Sequence, residues 1–180
     1  FNFNTMIYKD LYLANYKKYN SLLKRCNERY NSSNKNLSIC HNDMDTKNVM
    51  WNNDEPIIID WECASISNPE RELLEEALCW SGFLSNNFDK DKFTTIFTEY
   101  SKYRSIDDIE WYDVICGNLI GRFNWLKYNL DRSLGIITND TEEIELSTNE
   151  VVKTIDEINR YIDLVGTMYK IIDNLITTKE

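Results

Sequence analysis

Three side chains suited to proton or metal chemistry, Asp43, Asn48 and Asp60, recur between Leu37 and Glu62, with His41 just ahead of the first. That set of residue types fits phosphoryl transfer. A carboxylate beside a substrate hydroxyl takes or orients its proton, while an amide oxygen and a second carboxylate give Mg²⁺ hard oxygen ligands. For this chemistry the three must be brought to one place.

The elements around them can do so. Leu37, Ile39, Val49, Trp51, Ile57, Ile58 and Ile59 are β-branched, aromatic or bulky, and Asn52-Asn53-Asp54-Glu55-Pro56 has turn chemistry, so the stretch reads as strand, loop, strand, turn, strand. A hairpin with Asn48 at its start returns Asp60 close to that start.

The same residues carry a family resemblance. His41-Asn42-Asp43-Met44-Asp45-Thr46-Lys47-Asn48 matches the H-x-D-x-x-x-x-N catalytic loop, and Ile59-Asp60-Trp61-Glu62 resembles the metal-binding Asp segment of protein-kinase-like folds. Trp-Glu after Asp60, in place of Phe-Gly, is similar to the aminoglycoside phosphotransferase and choline kinase family. The resemblance implies Asp43 as catalytic base, Asn48 and Asp60 as Mg²⁺ ligands, His41 as the prop of the loop, and ATP or GTP as phosphate donor. It also implies a hydroxylated small-molecule substrate, often one bearing amines. Glu62, two residues beyond Asp60, is the candidate contact to a cationic substrate. One position departs from the protein serine/threonine kinases: Asp45 stands where they carry a lysine, and Lys47 is the cation nearest to it in sequence.

Composition sets outer bounds. With 180 residues and 42% hydrophobic content, residues 1–180 read as a single domain with one core. A formal charge of −10 argues against nucleic-acid binding and suits cationic or neutral partners. No run of about 18 apolar residues suggests a membrane span. Cys26, Cys40, Cys63, Cys79 and Cys116 are never spaced Cys-x-x-Cys, and with His41 as the lone histidine they make no zinc pattern. They read as reduced, buried thiols of a cytoplasmic protein.

The rest of the chain has mainly helical periodicity. Residues 4–31 predict a helix or two short ones, broken by 31–36. After Glu62 the chain is expected to turn helical and stay so. Asn68-Pro69 should open a helix burying Leu73, Leu74, Ala77 and Leu78, followed by a helix over 90–103. Ser105-x-x-Asp108 reads as a start signal for a helix to about Leu134, and Gly135 to Leu146 as a polar connection. Ser147-x-x-Glu150 reads as a capping box opening a final helix that runs nearly to the end. Trp51, Trp80 and Trp111 are expected in the core. Trp125, Tyr128 and Asp131 share a helical region suited to lining a substrate cleft.

The expected fold class is therefore mostly α with a small β-hairpin element, the helical substrate-binding lobe of a protein-kinase-like phosphotransferase. No glycine precedes the catalytic loop, and the lysines before it lie in a helical segment, so a phosphate-covering loop and its strand lysine are not found here. The N-terminal nucleotide-clamping lobe is expected to be absent from this chain, leaving it inactive in isolation. The competing expectation is a non-catalytic kinase-like binding or scaffolding domain.

Overall fold

Side-chain caps open three of the five α-helices in the computed structural model, which describes residues 2–33 and 36–178. The first helix, α1, spans Lys9–Ser33 and so runs past the break expected at 31; residues 34 and 35 lie outside the described part. Helix α2, Pro69–Trp80, opens on Asn68, whose Oδ1 accepts the Arg71 N–H at 2.8 Å, with proline in the first turn. Helix α3, Lys90–Tyr100, opens on Asp89, whose Oδ1 accepts two backbone N–H groups.

Two later starts differ from expectation. Helix α4, Trp111–Ser133, begins beyond Ser105, whose hydroxyl instead closes a local turn with Asp107. Helix α5, Thr141–Thr177, begins before Ser147, because Asp140 caps it by accepting the Glu142 and Glu143 N–H groups. Ile144 then starts the buried stripe, which leaves Ser147 as a buried residue inside the helix rather than its cap.

Four short strands lie between α1 and α2. Strands β2, Val49–Asn52, and β3, Glu55–Ile58, form the expected antiparallel hairpin, with Val49 opposite Ile58 and Asn52 opposite Glu55. Asn53 and Asp54 turn the chain with φ values of 48° and 68°, the left-handed pair that matches the twist of a two-residue hairpin. Strand β1, Ser38–Cys40, pairs with β4, Ser65–Ser67, which was not expected. The short 3₁₀ turn Trp61–Cys63 and then β4 therefore interrupt the anticipated helix after Glu62. The fold is mostly helical with a small antiparallel β element.

The chain divides into two compact units, one of Phe1–Tyr30 with Cys116–Gly166 and one of Asn31–Ile115 with Thr167–Glu180. In the first, Tyr8, Ile155, Ile158 and Tyr161 are fully buried, and Tyr19 meets Phe123 edge-on at 5.2 Å. Arg122 lies over Tyr161 at 4.9 Å. In the second, α2 packs on α3 and β1, and Leu74, Leu78, Phe93, Phe97 and Ile106 are fully buried. Trp111 meets Phe97 at 5.2 Å and satisfies its indole N–H on the Ile106 carbonyl at 3.0 Å.

The strands contribute little to either core. Leu37, Ile39, Trp51, Ile57 and Ile59 are exposed, Trp51 by 62%, which corrects its assignment to the core. Trp51 lies opposite Pro56 in this two-stranded hairpin and stays in water. Among the described residues no helix is long and apolar enough to cross a membrane. All five cysteines are free; Cys26, Cys40 and Cys116 are buried, whereas Cys63 is exposed.

Candidate active site

The hairpin does the positioning that its sequence required. Ile59 N–H donates to the Asn48 carbonyl at 3.0 Å, extending the ladder one step beyond Val49 and Ile58, so Asp60 follows directly on the residue bonded to Asn48. Asp60 has φ 63° and ψ 56°, a left-handed conformation that aspartate tolerates better than most residues, and it turns the chain into the Trp61–Cys63 segment.

Asn48 and Asp43 meet directly. Asn48, 4% exposed, donates through Nδ2 to Asp43 Oδ2 at 2.9 Å and to the Asp43 carbonyl at 2.8 Å. Both partners are pure acceptors, so the orientation of the amide is forced and Oδ1 is the atom left for a cation.

His41 is buried and its tautomer follows by the same logic. Nδ1 accepts the Asp43 backbone N–H at 3.3 Å, which leaves Nε2–H to donate to the Ile59 carbonyl at 2.9 Å. One imidazole therefore joins the Asp43 loop to the Asp60 strand. The Trp61 ring packs edge-on against it at 4.7 Å.

The loop is anchored at Asn42 as well, which has φ 62°. Its side-chain amide donates to the Cys40 and Cys63 carbonyls and to Ser65, and its Oδ1 accepts from the Ser67 hydroxyl at 2.6 Å, fastening the loop to both β1 and β4. Helix α2 holds the other side. Glu72 Oε1 accepts the Asn42 N–H at 2.7 Å, Glu76 Oε1 the Met44 N–H at 3.1 Å, and Trp80 donates to the Met44 carbonyl at 2.9 Å.

Asp45 has a defined role where a lysine was absent. Burial raises its carboxyl, but hydrogen bonds from the Cys79 thiol at 3.3 Å and from Thr46, with Lys47 nearby, hold it below the usual value. Burial, followed by the Asp45 hydrogen bond and charge, pushes Cys79 up to about 12. Lys47 lies 4.0 Å from both Asp43 Oδ2 and Asp45 Oδ2 on a largely exposed side chain.

Asp43, Asn48, His41 and Asp60 are thus linked through direct bonds and the Asn48 and Ile59 backbone. Glu62 is not: it lies exposed in the 3₁₀ turn and makes no hydrogen bond or ion pair among the described residues. Glu76 sits on a helix face that reads simply as amphipathic, and Trp80, expected in the core, is instead half-buried with its indole N–H on the Met44 carbonyl.

Among known families, the model of the phosphotransferase enzyme family matches residues 11–110. The chain belongs to the phosphotransferase enzyme family. The matched span of this phosphotransferase-family chain contains the whole constellation from His41 to Trp80 and ends before α4. Comparison with curated proteins and with solved structures gives no match.

No group of three or more His, Cys, Asp and Glu side chains is placed to hold a metal among the described residues. The available donors are one amide oxygen and one carboxylate. That sparse, hard-oxygen set fits Mg²⁺, which takes one or two protein ligands and completes its octahedron with phosphate and water.

Proposed function

We propose that this chain carries the proton-accepting and metal-binding residues of a small-molecule kinase that moves the γ-phosphate of ATP or GTP to a substrate hydroxyl. The observation that supports the reading is the double donation from Asn48 Nδ2 to Asp43, because one side chain then holds the carboxylate and leaves Oδ1 as the oxygen available to a cation. Asp43 takes or orients the hydroxyl proton. Asn48 Oδ1 and the Asp60 carboxylate would hold Mg²⁺, which neutralises charge on the phosphate oxygens when bound. His41 keeps the two segments in register.

A nucleotide clamp must be supplied in addition, since no glycine precedes Gly82. The acidic balance favours an ammonium-bearing substrate, with Glu62 as an exposed carboxylate available to it. A non-catalytic binding or scaffolding role draws its support from Asp45 in place of lysine.

The test is transfer of labelled γ-phosphate to a panel of aminoglycosides, choline-like amines and neutral sugars by the complete protein. Asp43→Ala is expected to lower kcat by at least roughly a hundredfold with the fold retained. An unchanged rate would remove Asp43 as base, and a wild-type protein that transfers phosphate to nothing would favour the binding domain.

A further inference from the structure

The residue next to Asp43 is held at both of its backbone polar groups by one helix. Met44 N–H donates to Glu76 Oε1 and the Met44 carbonyl accepts from Trp80 Nε1. Residues 76 and 80 stand one above the other on α2, four positions apart. Glu72, a turn earlier, takes the Asn42 N–H. The peptide planes on either side of Met44 are thereby fixed, and with them the direction in which the Asp43 side chain leaves the backbone.

Glu76 is in an unusual setting for a carboxylate. Its Oε2 is buried and has no hydrogen-bond partner. The groups facing it are Glu72 and Glu75 on its own helix and Asp45 across the loop. The Cys79 thiol beside it is already bonded to Asp45. From the other elements packed on α2, Cys40 of β1 and Tyr100 of α3 face Glu72, and Arg104 pairs with Glu70. No cation among these groups compensates a charge on Glu76. An uncompensated buried oxygen among carboxylates carries a proton in preference to a charge. Burial, and then the neighbouring carboxylates, raise Glu76 to about 8 against the opposing pull of the Met44 N–H.

We propose that Glu76 is a positioning residue that, as the neutral acid, clamps Met44 together with Trp80 and so fixes Asp43 for proton transfer. The inference rests on the reading of Asp43 as base. Its experiment needs no turnover: the amides of the ¹⁵N-labelled chain are followed by NMR from about pH 3 to about pH 10.

The Met44 amide is expected to titrate with a midpoint near 8 in the wild type and to stay flat in Glu76→Gln, which keeps the acceptor oxygen but cannot ionise. Amide exchange at Asp43 and Met44 should rise about tenfold or more in Glu76→Ala and remain within about twofold of wild type in Glu76→Gln. Should Glu76→Ala not fold, the titrations of the wild type and of Glu76→Gln decide. A flat wild-type Met44, a midpoint near 4.5, or a titration that persists in Glu76→Gln overturns the clamp. Asp43-dependent phosphotransfer alongside a flat Met44 would refute the clamp alone. A titrating Met44 in a protein indifferent to Asp43→Ala would refute the base alone.

Discussion

Asn48 holds Asp43 by two hydrogen bonds from a single nitrogen, one to the carboxylate at 2.9 Å and one to the carbonyl at 2.8 Å. The acceptor side of the amide is left over by construction, so one buried residue holds the proposed base and keeps an oxygen for the proposed metal. Asn48→Ala removes both bonds and leaves two acceptors short of a donor. Denaturant unfolding is expected to show a loss of about 1.5–3 kcal/mol, the range for hydrogen bonds to charged groups. A loss within error of zero would mean water replaces the amide.

The metal site should be weak without phosphates. Mg²⁺ held by Asn48 and Asp60 alone is expected to dissociate on the order of millimolar. Mn²⁺ substituted for it should broaden the NMR signals of Asn48 and Asp60 first. Broadening that survives Asp60→Ala would place the ion elsewhere.

Stability should fall as pH rises, in a window set by Glu76. The unfolded chain releases this proton near the ordinary value of 4.5, whereas the folded chain keeps it to about 8. The folded state therefore binds the extra proton between these limits, and its contribution, fully present below 4.5, is lost as pH climbs through 8. Asp45, held low, works in the opposite sense: its contribution is present above 3.8 and lost as pH falls. Thermal unfolding midpoints across this range should decline for the wild type and decline less for Glu76→Gln.

The thiols should separate by accessibility and ionisation. Cys63 is exposed, while Cys79 is partly buried and raised to about 12. Iodoacetamide at about pH 8 is expected to modify Cys63 long before Cys79, because the thiolate is the reactive form. Mass spectrometry of the folded protein checks this; equal rates would show that the Cys79–Asp45 contact opens readily.

The local signals that survived folding are those with their own chemistry. Asn68-Pro69 capped a helix, Asn53-Asp54 turned a hairpin, and the hairpin returned the Ile59 backbone, just before Asp60, to Asn48 and His41. Signals that depend on competition failed. Ser147-x-x-Glu150 has the form of a capping box, but Asp140 offers the same service about two turns earlier, and the buried Ile144 favours the longer helix. Strand β4 is too short to announce itself, since Ser65-Ile66-Ser67 becomes a strand only by pairing with β1. The residue type of Trp51 predicts burial, whereas its place opposite Pro56 in a two-stranded hairpin leaves it largely exposed. The contacts of Glu76 and Trp80 were illegible for a related reason: their partners are the backbone of Met44, which no side-chain pattern records.

Residues 42–45 receive much of their support from residues 72–80, which come later in the chain. During synthesis the motif therefore leaves the ribosome before the helix that props it has been made. A nonsense change anywhere between Glu62 and Glu72 would keep each residue of the motif and remove the helix beneath it. The gene could then still spell the loop while its product lacked the site.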